Sequence, residues 1–221
     1  MHNMLFEQRV VIKTESLPWQ ADSLSGVYYK PLAYEKNTRG HDTRFVRVAP
    51  GTEIDCVGSA GEEILVVNGE CRFLVDDKTL NARQGCYLRV PHGKSFKLMT
   101  HSGCLFLEKR NQFCATDSKT VFTDMALSTW TEAQGNLRML TLHEFNGEQV
   151  ALIQWPAGQH FFSISHFCGE EVFVLSGEYR DEFGRYPAGT WMRNPHMFEY
   201  NPFCQEDTLL WIKVGHLPYP G

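Results

Sequence analysis

Apolar and polar side chains alternate in this chain over short runs only, and Gly, Pro, Asn or Asp separates one run from the next. In the first half the runs are Arg9–Thr14, Phe45–Ala49, Glu63–Val67, Cys71–Val75, Cys86–Val90, Ser95–Met99 and Cys104–Lys109. In the second half they are Leu137–Leu142, Val150–Trp155, Val172–Leu175, Thr190–Arg193 and Thr208–Val214. Regularly spaced β-rich runs with few helix signals predict an all-β sandwich or small barrel and no helical domain. Gly69 and Gly177 are expected to close hairpins at positive φ, and Gly85 and Gly189 to turn tightly into the next strand. Asp76-Asp77 and Asp181-Glu182-Phe183-Gly184 mark one further hairpin in each half.

The halves repeat each other. Pro18-Trp19 is echoed by Thr129-Trp130, and Arg47-Val48-Ala49-Pro50-Gly51 by Gln154-Trp155-Pro156-Ala157-Gly158. Gly61-Glu62-Glu63-Ile64-Leu65 matches Gly169-Glu170-Glu171-Val172-Phe173, and Gly85-Cys86-Tyr87-Leu88-Arg89-Val90-Pro91 matches Gly189-Thr190-Trp191-Met192-Arg193-Asn194-Pro195. A near-constant offset means two tandem copies of one unit. The polar stretch from Gln112 to Asp124 joins them, which divides the chain into 1–115 and 116–221.

In the second copy Gly158 is followed at fixed intervals by Ile164, His166, Glu170 and Gly177, and then Gly189 by Pro195 and Tyr200. This spacing resembles the cupin signature, G-x5-H-x-H-x3-E-x6-G followed by G-x5-P-x-G-x2-H-x3-N. Within cupins, the run GEEVFVLSGEYRDEFGRYPAGTWMRNP is similar to the ChrR-type group, named for the C-terminal sensor half of an anti-sigma factor. The resemblance covers nearly the whole chain, twice. It implies two double-stranded β-helix (jelly-roll) barrels, a bicupin, with three imidazoles and a carboxylate projecting into each barrel to hold Zn, Fe, Ni or Mn.

Few of those ligands are present. In the first copy the frame falls on Cys56, Gly58, Glu62 and Phe96, so that barrel is expected to hold no metal, with Phe96 filling the space. In the second copy His166 and Glu170 are kept, Ile164 and Tyr200 replace histidines, and Met197 stands where the motif has Gly, as at Gly93 in the first copy. Two readings stay open. His166, Glu170 and Tyr200, with His160 as a weaker candidate, would hold Zn, Fe or Ni at a non-standard site, a phenolate being acceptable to ferric iron. Alternatively, His166 and Glu170 hydrogen-bond each other or Tyr200 in a metal-free pocket to which Ile164, Phe198 and Arg193 contribute. Glu63 and Glu171, by strand alternation, point away from the ligand carboxylates and are read as surface or interface charges. Trp155, Trp191, Trp211, Phe173 and Phe198 are read as barrel core.

Composition narrows the function classes. A formal charge of −5 with no basic run disfavours nucleic acid. No stretch approaches the ~20 apolar residues of a membrane span, and the charges at Glu7, Arg9 and Lys13 leave no apolar leader core, so a cytoplasmic protein is expected. Seven cysteines without a C-x-x-C pair read as free thiols. ChrR-type anti-sigma factors carry a helical zinc element, H-x3-C-x2-C, that holds the sigma factor. Residues 1–45 contain none, so a sigma-factor partner is unsupported. The expectation is therefore a regulatory or small-molecule-binding sensor, with a homodimer possible through sheet edges. In that reading the ligand sits in the second barrel and the first barrel is structural. The alternative is a metal-dependent dioxygenase cleaving diketones or hydroxyaryl ketones, an activity the resemblance also implies.

Overall fold

The computed structural model describes residues 2–35, 41–56 and 61–219. Its first half contains β1 (Val10–Lys13), β2 (Gln20–Ala21), β3 (Val27–Tyr34), β4 (Asp42–Val48), β5 (Thr52–Cys56), β6 (Glu62–Val75), β7 (Lys78–Arg83), β8 (Cys86–Val90), β9 (Phe96–Thr100) and β10 (Cys104–Arg110). The second contains β11 (Val121–Asp124), β12 (Thr131–Glu132), β13 (Arg138–Phe145), β14 (Glu148–Trp155), β15 (Glu170–Ser176), β16 (Glu178–Asp181), β17 (Gly184–Pro187), β18 (Thr190–Asn194), β19 (Phe203–Cys204) and β20 (Thr208–Val214). One 3-10 turn, Thr14–Ser16, is the only helical element among the described residues. None of their helices is long and apolar enough to cross a membrane.

The all-β, two-barrel reading holds, and the strands group into two compact units. One comprises Met1–Met4 and Pro18–Ser128; the other, Leu5–Leu17 and Thr129–Gly221. The sequence copies lie end to end, but the units exchange their leading strands. β11, which opens the second copy, pairs with β8 of the first unit, Val121 opposite Arg89. β1, which opens the first copy, pairs with β18 of the second unit, Val10 opposite Arg193. Each leading strand thus covers the edge that the β8 or β18 strand would otherwise leave open.

In the first unit, the sheet β11-β8-β6-β10-β4-β3-β2 faces a shorter one in which β5, β9 and β7 join the far half of β6. Val46, Val66, Phe73, Leu88, Leu98 and Phe106 form the core between them. In the second unit, β1-β18-β15-β20-β14-β13-β12 faces β17-β16-β19, around Trp155, Phe161, Tyr179, Met192 and Tyr200.

Gly69 does not close a hairpin. It lies within the continuous β6, where that strand leaves β8 and goes on to pair with β7. Its φ is +80°, and a Cβ there would sit 2.3 Å from the Gly103 carbonyl oxygen. Gly177, at φ +75° and 2.6 Å from the Asp207 carbonyl oxygen, makes the matching break between β15 and β16. Asp76 and Asp77 do form the two-residue turn between β6 and β7, both at positive φ. In the second copy Asp181 Oδ1 accepts from the backbone N–H of Phe183 (2.8 Å) and Gly184 (3.0 Å) to fold the β16–β17 turn.

Three aromatic residues assigned to the barrel core lie elsewhere. Phe173, Trp191 and Trp211 are buried, but strand alternation puts them on the sheet face opposite Val172 and Met192. Glu63 and Glu171 share the corresponding faces and are buried rather than exposed. Arg89 Nη1 lies 3.1 Å from Glu63 Oε1, and Trp191 Nε1 and His216 Nε2 each lie 3.2 Å from a Glu171 oxygen. Burial of these carboxylates requires partners of this kind.

Gly69→Ala should destabilise the first unit by about 3 kcal/mol, since left-handed strain adds to a backbone clash. Gly147→Ala, also at positive φ but with nothing within 4 Å, should cost only about 1 kcal/mol. Urea unfolding of both variants checks the difference.

Candidate functional site

The motif frame superimposes on the two barrels through strand register. Cys56 on β5 lies opposite Phe96 on β9, and Ile164 is bridged to Tyr200 in the same way, with Ile164 N–H donating to Tyr200 O at 3.0 Å. Gly58 falls outside the described residues. What each barrel does with the frame differs.

In the second barrel His166, Glu170 and Tyr200 converge. His166 Nε2 is 3.4 Å from Glu170 Oε2. Tyr179 and Tyr200 hydroxyls are 3.3 Å apart, and Tyr200 also hydrogen-bonds Glu170. Asn194 Nδ2 donates to the other Glu170 oxygen at 2.7 Å, and Arg9 Nε donates to Asn194 Oδ1 at 2.8 Å. Arg9 also pairs with the buried Asp181, donates to the Tyr186 hydroxyl at 3.0 Å, and lies over the rings of Phe183 and Phe198. One hydrogen-bonded chain therefore runs from Asp181 through Arg9, Asn194 and Glu170 to the tyrosines.

That donor set does not fit a metal ion. Burial, then the Glu170 charge, raises the Tyr200 phenol well above its ordinary range and opposes a phenolate. Glu170 already accepts from Asn194, and Ile164 offers no donor. Among the described residues, no three His, Cys, Asp or Glu side chains gather to hold a metal. His160 is no substitute, because it is exposed and stacks flat on Phe203 with ring centroids 4.8 Å apart. Arg193 is not in the pocket either. It is paired opposite Glu171 on the other face of the sheet, where it lies over Phe6 and donates to the Leu5 carbonyl at 3.0 Å. Phe198 and Ile164 are half-buried and pack on the barrel core.

A large cavity lies in the first barrel, the one read as structural. It has a volume of about 880 Å³, and Cys56, Glu62 and Phe96 all line it. Phe96 does not fill it, because its ring packs edge-on against Phe73 at 6.0 Å. Facing the cavity is a ladder of charges across β6, β10 and β4. Glu62, Arg110 and Asp42 form one rung, and Glu108 and Arg44 the next. Arg44 bridges Glu108 and, at 2.6 Å, Asp22; Arg110 pairs with Asp42, its Nε donating at 3.1 Å. In the second barrel the register puts Val214, Gln149, Ile212 and Ala151 at the positions of Arg110, Asp42, Glu108 and Arg44.

The two carboxyls at the centre behave oppositely. Burial opposes charge on both, but the Arg44 and Arg110 guanidiniums outweigh it at Glu108 and hold its carboxyl below the usual range. Burial and the neighbouring Glu108 raise Glu62 well above that range, so it keeps a proton and shares it with Glu108. Burial, then the Glu62 and Glu108 charges, pushes the Cys56 thiol up too, which leaves it a poor metal ligand. Sequence reasoning passed over Asp42, Arg44, Glu108 and Arg110. The available signal was pairs of charges two apart on the same strand faces as Val46 and Phe106, at positions where the other copy carries no charge.

Two outcomes follow. Between the unfolded carboxyl pKa and the raised folded one, the native state holds the Glu62 proton and the unfolded chain does not. Stability is therefore lost as pH rises through that window. Glu62→Gln removes the loss, so it should exceed the wild type by more than about 1 kcal/mol at pH 7.5 and match it near pH 4 in urea titrations. Arg9→Met strands the buried Asp181 and should cost about 3 to 5 kcal/mol by the same measurement.

Comparison with known proteins agrees with this architecture. The glyoxylate-induced protein of Pseudomonas aeruginosa, provisionally so described, superimposes with a TM-score of 0.80 at 15% identity, over 98% of this chain and 93% of its own. The Escherichia coli protein Ylba gives 0.77 at 11% identity, over 98% and 94%. A Nostoc punctiforme protein provisionally described as a dioxygenase gives 0.80 at 16% identity, over 96% and 84%. At these identities the likeness is one of fold. No curated protein matches the sequence. The ChrR cupin-like domain profile matches twice, over residues 7–114 and 118–218, and the chain therefore belongs to the family of ChrR cupin-like domains, which it carries in tandem.

Proposed function

We propose that this bicupin is a small-molecule-binding sensor of the ChrR-like regulatory type, without catalysis of its own, and that the first barrel is its ligand site. The observation that carries the reading is the cavity of about 880 Å³ beside the Arg44–Glu108–Arg110–Asp42 ladder. A volume of that size falls within the range of small-molecule sites, and fixed polar groups of this kind orient a ligand within them. The polar groups are cross-braced by ion pairs, which suits recognition with little reorganisation on binding. Among the described residues, no three His, Cys, Asp or Glu side chains gather to hold the open-sided metal that a diketone-cleaving dioxygenase needs, which favours the sensor reading. In the second barrel the retained His166 and Glu170 are instead taken up in a hydrogen-bonded chain completed by Arg9.

Cys56 lines the cavity and is half-buried, so Cys56→Trp should block it with little damage to the core. In a thermal-shift screen of small metabolites, stabilising compounds should lose their effect on Cys56→Trp and keep it on Tyr200→Phe. The reverse pattern would move the site to the second barrel. Elemental analysis showing about one Fe, Zn or Ni per chain, lost in His166→Ala, would restore the dioxygenase reading.

A further inference from the structure

The charges around the first-barrel cavity are unbalanced in a way that selects the ligand. Among the described lining residues, Asp22, Glu35, Asp42, Asp55, Glu62 and Glu108 are acidic against two arginines, Arg44 and Arg110, and none is a lysine. Both guanidiniums are engaged, Arg44 with Glu108 and Asp22 and Arg110 with Asp42, so an entering anion meets a net negative wall. Glu62 stands apart. It is 4% exposed, lines the cavity, and among the described residues no ion pair reaches it, its hydrogen-bond partner being the carboxyl of Glu108. A purely apolar guest would leave that carboxyl as it is. A guest bearing a positive charge would give it a counter-ion. The remaining walls, with Ile54, Phe96, Leu98, Phe106 and the Tyr29 ring, suit an apolar or aromatic body. None of this is needed to build a barrel of this kind, because the second one has Val214, Gln149, Ile212 and Ala151 in the corresponding places.

We infer that the first-barrel cavity binds an organic cation, a primary amine or guanidine on an apolar body, whose charge pairs with ionised Glu62 while the proton shared with Glu108 passes to solvent. This inference rests on the first barrel being the ligand site. The groups facing Glu62 are Glu108 and Arg110 on β10, Asp42 and Arg44 on β4, and Cys56 and Asp55 on β5, with Asp22, Glu35 and His92 around the cavity. His92 also lines the cavity, so His92→Gln is the control for the imidazole.

Calorimetric titration of the full chain with phenethylamine, n-hexylamine, 3-phenylpropionate and 2-phenylethanol, in two buffers of different ionisation heat, tests the idea. The amines should bind at least about tenfold tighter than the acid or the alcohol, release protons on binding, and tighten as pH rises. Glu62→Gln should weaken the amines about tenfold or more and abolish proton release, whereas His92→Gln should retain both. Amine binding without proton release, or undiminished in Glu62→Gln, would overturn the inference. If 3-phenylpropionate or 2-phenylethanol binds best and Cys56→Trp abolishes it, the cavity is the ligand site but the cation preference is refuted. If no probe binds the wild type, the cation inference fails, and the thermal-shift screen with Cys56→Trp decides the site separately.

Discussion

The buried pairing of Arg44 with Glu108 and Asp22 is the interaction on which the first barrel's interior depends. A guanidinium this deep is tolerated only because two carboxylates meet it, and each carboxylate needs the cation in return. The same pairing fixes the states of its neighbours. Arg44 and Arg110 keep Glu108 ionised, and the ionised Glu108, added to burial, keeps Glu62 protonated. With Phe96 and Cys56 where the cupin signature has histidines, the first barrel encloses a cavity, and ion pairs hold its polar wall.

The second barrel solves the same problem by another route. Its retained His166 and Glu170 are absorbed into a chain of hydrogen bonds, and the link that completes the chain, Arg9, immediately precedes the strand that opens the first copy. Leading-strand exchange therefore does more than cover a sheet edge: it delivers a cation to a barrel whose buried Asp181 needs one. The pseudo-equivalent strand of the second copy, β11, covers the first barrel's edge with Val121 and Phe122 and brings no such charge.

One fold thus carries two interiors. Here ion pairs supply rigidity in the first barrel and a hydrogen-bonded chain supplies it in the second. Among the described residues, no three His, Cys, Asp or Glu side chains gather in either barrel to hold a metal.

The fold, its duplication and the family were legible in the sequence, because strand alternation, turn residues and a repeat near 108 positions are local patterns that survive without three-dimensional information. The convergence of His166, Glu170 and Tyr200 was legible for the same reason, since the motif spacing encodes strand register. Alternation also assigned Glu63 and Glu171 to the opposite face, but it could not say that this face is buried. The location of the cavity, the idle position of His160 and the placement of Arg193 away from the pocket were decided by tertiary structure alone. Each depends on which of two sheet faces is covered and on which distant strand pairs with which. Asp42, Arg44, Glu108 and Arg110 read as ordinary strand charges until β4, β10 and β6 are laid side by side, because a Coulomb interaction between side chains more than 60 residues apart leaves no periodicity in the chain.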